Sequence, residues 1–264
     1  MVYYYNVCSY EEKVEKSFFV WYDCLKLCFE CIMYVNRKCM EYGNKTTFEM
    51  ESYMLKTDAI IFDLDGTLWD STEPAAVVWK EVAGRYPEIN DEITGPRLKT
   101  FYGLPLEDIA KGMFTSVPFE KALSVMEICV KEQCPYLIEH RGELLGDIEG
   151  TLKALKERGF KLFIVSNCRA GYIEAFLEGH KFGYLIDDHL CPGDTGELKA
   201  ANIRNIIDRW QLKAPVYMGD TQGDKDASTE AGVPFIFARY GFGTADGWDE
   251  VADSFEQLGE LVER

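Results

Sequence analysis

Residues 58–71 read DAIIFDLDGTLWDS. The apolar run Ala59–Phe62 carries β-branched and aromatic side chains and is short enough for a strand buried on both faces. It ends at once in Asp63 and Asp65, with Gly66 behind them. In an extended stretch, residues two apart point to the same side. The two carboxylates therefore share one side of the strand end. Taken alone, Asp65-Gly66 would be an ordinary turn. What lies at the other strand ends gives it a second meaning.

Further strand-like runs follow at Lys161–Val165, Tyr184–Ile186, Pro215–Met218 and Pro234–Ala238. Helix-period segments lie among them at Ile148–Arg158, Ala170–Glu178, Ala200–Trp210 and Lys225–Ala231, with Gly159, Gly179 and Gly232 as stop signals. Alternating strand and helix imply an α/β fold: a doubly wound parallel sheet with helices on both faces. One interval breaks the alternation. From Pro74 to Gly146 only helical signals occur, at Ala75–Tyr86, Leu106–Met113 and Phe119–Glu132. That is too long for a loop. The expected division is a core of residues 54–73 and 147–264, with a small α-helical cap, 74–146, inserted after the first strand.

In such sheets ligands sit beyond the carboxyl ends of the strands. After the second strand comes Ser166-Asn167, and across a loop from the third comes Lys199, opening a helix. After the fourth come Gly219-Asp220 and, four residues beyond Asp220, Asp224. Ser166 and Asn167 alone could cap a helix. A cation at a helix start opposes the helix dipole, so Lys199 calls for a nearby anion. Four converging acids would repel one another, and such a cluster implies a hard cation with oxygen ligands. An EF-hand over Asp220–Ala231 fails, because Lys225 takes the glycine position and Ala231 that of the final acid.

The order D-x-D-G-T, S-N, K, G-D-x-x-x-D resembles the haloacid dehalogenase-like superfamily at its phosphatase branch, over residues 57–243. FYGLPLEDI, 101–109, is similar to a cap loop of its phosphoglycolate phosphatase-like and β-phosphoglucomutase-like members. CPGDTGELKAANI, 191–203, lacks the Lys-Pro that often marks the third motif. The resemblance implies that Asp63 is a nucleophile forming an aspartyl-phosphate and Asp65 the general acid–base. It implies Mg²⁺ on the carboxylates of Asp63 and Asp220 and on the backbone carbonyl of Asp65, with Asp224 holding the metal or its waters. Lys199, Ser166 and the backbone amides of Leu64 and Asn167 would hold the phosphoryl oxygens. The helical insert would be a lid, where Arg97 and Lys99 could meet a second anionic group. The expected function is a Mg²⁺-dependent phosphatase acting on a small phosphorylated metabolite. A phosphomutase of the same fold, or a catalytically silent binding protein, are the alternatives.

Composition limits the partners. The chain has 264 residues, a net charge of −17 and a pI near 4.6. An acidic surface opposes binding to nucleic acid or to an anionic membrane. Nine cysteines form an odd set that suits a reducing cytoplasm. His140, His180 and His189 have no ligand spacing. Residues 1–53 are atypical, rich in cysteine and aromatics, with one helix expected over Glu11–Tyr42. Cys24, Cys28 and Cys31 show a spacing that resembles the iron–sulfur loop of radical S-adenosylmethionine enzymes, yet Glu30 stands where an aromatic is usual. Apolar cysteines on a helix account for them. Met54 or Met50 is the expected true start, since nothing ahead of it enters the site.

Overall fold

The computed structural model describes residues 54–264. The readings of the Glu11–Tyr42 helix, the cysteine triplet and the start position lie outside them. The central sheet runs β6-β5-β2-β7-β8-β9, all neighbours parallel. Its strands are β2 (Ala59–Phe62), β5 (Lys161–Val165), β6 (Asp188–Leu190), β7 (Pro215–Gly219), β8 (Phe235–Ala238) and β9 (Glu250–Ala252). Strand β1 (Leu55–Lys56) pairs with β10 (Val262–Glu263) in a small separate ladder.

β2 is central, and every side chain in it is buried. Ile60 and Phe62 face one apolar cluster with α5 (Ile148–Glu157) and α6 (Tyr172–His180). Ala59 and Ile61 face the other, toward α8 (Lys199–Trp210) and α9 (Gln222–Ala231). Burial on both faces explains why the run is continuously apolar rather than alternating. The register sets Phe62 beside Ile164 and Met218, so β2, β5 and β7 end together.

Between β2 and β5 the chain leaves through β3 (Trp69–Asp70) and returns through β4 (Glu143–Leu144), an antiparallel pair. The excursion carries α1 (Thr72–Ala83), α2 (Gly95–Lys99), α3 (Leu106–Met113) and α4 (Phe119–His140). These helices share their own apolar cluster, with Trp79, Val82, Leu98, Met113 and Met126 buried in it. The last of them runs past the expected end at Glu132 and through Pro135. Its final turns pack on α6, with Leu137 fully buried. Tertiary burial outweighs the lost backbone bond there.

Two readings are corrected. Tyr184–Ile186 is a turn, not a strand. Leu185 N–H bonds the Phe182 carbonyl at 2.8 Å, Leu185 and Ile186 plug the core, and Tyr184 is exposed. The strand lies just beyond, at Asp188–Leu190. It is an edge strand, and the Asp188 carboxylate accepts from Arg209 and from the Trp210 indole, each at 2.9 Å. Gly179 is not a helix stop. It lies inside α6 where α4 crosses, and a Cβ there would come 3.2 Å from the Ile138 carbonyl oxygen. Lys181 ends the helix instead, at φ 62°. The short connecting α7 (Pro192–Thr195), a 3₁₀ turn at Phe255–Gln257 and α10 (Leu258–Leu261) complete the described chain. No helix among the described residues is long and apolar enough to cross a membrane.

His180 sits among the rings of Trp69, Phe176 and Phe182, at 5.3–5.9 Å between centroids. Burial, then the nearby Arg141 charge, lowers its pKa to about 4. The folded state resists protonation that the unfolded chain accepts below about pH 6.5. Stability from this group is therefore full above that pH and falls as pH drops toward 4. Allowing for its partial exposure, the loss is roughly 1–2 kcal/mol. Urea unfolding at pH 7 and pH 4.5 should show a smaller acid loss for His180→Phe than for the unaltered chain. Equal losses would contradict this account.

Candidate active site

The β2 ladder extends one residue further, since Asp63 N–H donates to the Met218 carbonyl at 2.8 Å. The chain then turns sharply, with Leu68 N–H on the Leu64 carbonyl at 2.9 Å. Gly66 occupies the turn at φ 79°. A Cβ there would also lie 2.3 Å from Asp220 Oδ2. Only glycine meets both demands, one of backbone conformation and one of space. Gly219, in extended backbone, meets only the demand of space: a Cβ on it would lie 2.6 Å from the Asp224 Cβ.

Lys199 is the first residue of α8, and its ammonium is buried. It bonds Asp63 Oδ1 at 2.8 Å and Asp224 Oδ1 at 2.6 Å. These carboxylates answer the conflict between a cation and a helix N-terminus. Burial alone would lower the lysine's pKa, but Asp224 and Asp63 more than offset it, so it stands above the ordinary lysine value. Asp224 is also the N3 residue of a capping box at the start of α9. Its Oδ2 accepts from Thr221 N–H at 3.0 Å and from Thr221 Oγ1 at 2.6 Å. The Tyr217 hydroxyl, bonded to the Val165 carbonyl at 2.8 Å, reaches Asp224 Oδ1 at 3.3 Å.

Asp220 has no cation beside it. Its Oδ2 accepts from the amides of Phe242 (2.7 Å) and Gly243 (3.1 Å), while its buried Oδ1 has no partner. Burial, then the charges of Asp224 and Asp63, raise it to about 8. Burial also raises Asp63, to about 6, against the pull of Lys199. One oxygen from each of Asp63, Asp220 and Asp224 lies within 4.8 Å of the others. A buried, unpartnered carboxylate oxygen beside two further carboxylates is the donor set of a hard divalent cation. Asp63, Asp220 and Asp224 fit Mg²⁺.

Asp65 is not among the three carboxylates of that cluster. Its Oδ1 accepts from the Tyr172 hydroxyl at 2.7 Å, and Ser71 Oγ is 3.5 Å away. Burial, then the charge of Asp63, pushes it well above the usual carboxylate range. Asp65, Ser166 and Asn167 line a small cleft of about 50 Å³ together with Arg169 and, from the helical insert, Tyr102 and Leu106. Asn167 Nδ2 donates across it to the Gly103 carbonyl at 2.9 Å, in the loop read as FYGLPLEDI. Leu64 is buried between the two acids.

Arg97 is not brought to this place. Its guanidinium bonds the carbonyls of Glu92, Gly112 (3.0 Å) and Met113 (3.2 Å), which tie the insert together. Lys99 pairs with Asp70 and lies 4.6 Å over the Phe242 ring, at the margin of the site. Several participants were missed in the sequence. Tyr217 reads as one more strand aromatic. Gly241-Phe242-Gly243 carries a signal that could have been used, a glycine-bracketed loop just past a strand end. Arg169, which pairs with Glu107 of the insert at 3.6 Å, had none.

A family model described as haloacid dehalogenase-like hydrolase matches residues 60–238. Among curated proteins, the phosphoglycolate phosphatase of Vibrio parahaemolyticus serotype O3:K6 is 27% identical over 222 residues, covering 77% of this chain and 95% of that protein. Among solved structures, a haloacid dehalogenase-like family hydrolase from Streptococcus pneumoniae superposes with a TM-score of 0.65 at 19% identity, covering 80% of this chain and 99% of the other. A CbbY mutant from Rhodobacter sphaeroides, solved with xylulose-(1,5)bisphosphate, does so at 0.62 and 19%, covering 78% and 100%.

The cluster sets a stability test. Asp220→Asn removes a carboxyl that the folded, metal-free protein must either protonate or hold charged beside Asp224 and Asp63, so that protein should melt higher, with a gain of at least about 1 kcal/mol. Mg²⁺ should raise the melting temperature of the unaltered protein, by about 2.7 kcal/mol of stabilisation at a hundredfold excess over Kd, and leave Asp220→Asn unmoved. An equal Mg²⁺ shift in both would show that the ion binds elsewhere.

Proposed function

The chain belongs to the haloacid dehalogenase-like hydrolases, and from that membership we propose that it is a Mg²⁺-dependent phosphatase cleaving a small phosphorylated metabolite through an aspartyl-phosphate. The observation that carries the reading is the buried ammonium of Lys199 on Asp63 Oδ1, 2.8 Å away, with the free oxygen of Asp220 beside them. A carboxylate attacks a phosphate dianion only where the repulsion between them is cancelled. Lys199 contributes one positive charge. Mg²⁺ held by Asp63, Asp220 and Asp224, with the backbone carbonyl of Asp65, supplies the rest when bound.

Asp63 attacks phosphorus, and the bond to the leaving oxygen breaks. Burial raises the Asp65 carboxyl well above the usual carboxylate range, which suits it to carry a proton and give it to that oxygen. The Asp65 carboxylate then takes a proton from the water that displaces Asp63 from phosphorus. Ser166 and the amides of Leu64 and Asn167 donate to the phosphoryl oxygens. In this reading residues 54–73 and 147–264 are the catalytic core, and 74–146 the cap that excludes water. Of the two cap cations, Lys99 is better placed to meet a second anionic group, because Arg97 is occupied by backbone carbonyls. The four described cysteines, all free, fit a reducing cytoplasm.

Phosphoglycolate heads the substrates to test, from the name of the Vibrio relative. A panel of phosphomonoesters with Mg²⁺ should give free phosphate, with no bisphosphate activator needed, and chelation should stop it. Asp63→Asn should lower the rate by more than about a thousandfold while leaving the fold intact. Phosphate release that survives Asp63→Asn, or is indifferent to chelation, would overturn the reading.

A further inference from the structure

Asp65 is held by hydroxyl groups that the reaction above leaves without a role. Tyr172, first residue of α6, donates to Asp65 Oδ1 at 2.7 Å. Ser71 Oγ lies 2.6 Å from the Tyr172 hydroxyl and 3.5 Å from Asp65 Oδ1. The Tyr102 hydroxyl, from the helical insert, is 3.5 Å from Ser71 Oγ. Tyr172 is 4% exposed and Ser71 fully buried. The array is thus shielded from bulk water.

The order of protons follows from chemistry. A phenol keeps its proton at neutral pH. Its single proton goes to the carboxyl oxygen, the stronger acceptor, so Ser71 donates to the phenol oxygen in turn. Oδ1 of Asp65 is then occupied as an acceptor. The carboxyl proton belongs on Oδ2.

We propose that Tyr172 is a positioning residue for hydrolysis: it fixes the rotamer of Asp65 and reserves Oδ1, so that Oδ2 is the oxygen that exchanges protons with the reaction. This rests on the reading of Asp65 as general acid–base. In the first step the Asp63 oxygen–phosphorus bond forms, the bond from phosphorus to the leaving oxygen breaks, and the Oδ2 proton goes to that oxygen. In the second, water oxygen bonds phosphorus, the Asp63 oxygen leaves, and a water proton returns to Oδ2. A misdirected carboxyl fails at both. The competing role for Tyr172 is packing, since its ring meets Trp69 edge-on at 5.6 Å. Tyr172→Phe keeps that ring and removes only the hydroxyl.

The test compares kcat/KM, which reports events up to transfer onto Asp63, for an alkyl phosphate such as phosphoglycolate and for p-nitrophenyl phosphate. The aryl leaving group needs no proton. Tyr172→Phe should lower the alkyl value about 10- to 100-fold and the aryl value less than about threefold. Ser71→Ala, which leaves both tyrosines in place, should lower the alkyl value about three- to tenfold. In an Asp65→Asn background, adding Tyr172→Phe should cause no further loss. An unchanged alkyl value, an equal fall for both esters, or a further loss in the Asp65→Asn background would overturn the positioning role. Unaltered protein that released no phosphate in Mg²⁺ would overturn the phosphatase reading itself, and this inference with it.

Discussion

The bond from the Lys199 ammonium to Asp63 Oδ1 is the constraint around which the site is arranged. It is buried, and the lysine is shared with Asp224. Buried ion pairs rarely stabilise a fold, because desolvation offsets the attraction. Here two carboxylates share one ammonium, and Asp220 stands beside them with no cation and with one unpartnered oxygen. The cluster therefore works against stability. The sheet around it holds the acids together all the same. β2 and β7 end in register, which brings Asp63 beside Asp220, while the capping box of α9 fixes Asp224. A strained, charged pocket on a well-packed scaffold is the usual compromise between stability and activity.

The two acids of the opening motif are separated by their surroundings. Asp63 meets an ammonium and stands at about 6. Asp65 meets neutral hydroxyls and is pushed well above the usual carboxylate range. Both carboxyls are raised, but by different surroundings, and the proposed reaction asks a different task of each. One short spacing thus places two carboxyls in two different neighbourhoods, because the chain turns at the end of β2. The helical insert reaches the Asp65 side through Tyr102 and the loop carbonyl of Gly103, and the Asp220 side through Lys99 over the Phe242 ring.

Most of the sheet was legible because buried parallel strands have an unmistakable composition. Ala59–Phe62 and Pro215–Met218 are apolar throughout, and Lys161–Val165 is so after its first residue. Tyr184–Ile186 misled for the same reason: Leu185 and Ile186 are buried, but in a turn, and burial is what apolarity reports. The true edge strand, Asp188–Leu190, is polar because one of its sides needs no partner strand. Gly179 misled because a glycine can mark a helix crossing as well as a helix end. In the site, Asp63, Lys199, Asp220 and Asp224 were legible as strand-end charges. Tyr172 and Tyr217 were not, since an aromatic at helical or strand spacing reads as core. Only the neighbour that each hydroxyl meets gives it another meaning. Arg97 looked available in sequence because the carbonyls that occupy it lie far along the chain.

The central claim is that Asp63 receives phosphorus beside a divalent ion held with Asp220. A crystal structure of the full chain with Mg²⁺ and beryllium fluoride, a mimic of a transferred phosphoryl group, tests it most directly. The account predicts the fluoride bonded to the Asp63 oxygen, with Lys199 against it. It predicts Mg²⁺ about 2.0–2.1 Å from oxygens of Asp63 and Asp220. An ion bound away from Asp220, or fluoride absent from Asp63 in crystals that contain both, would contradict it.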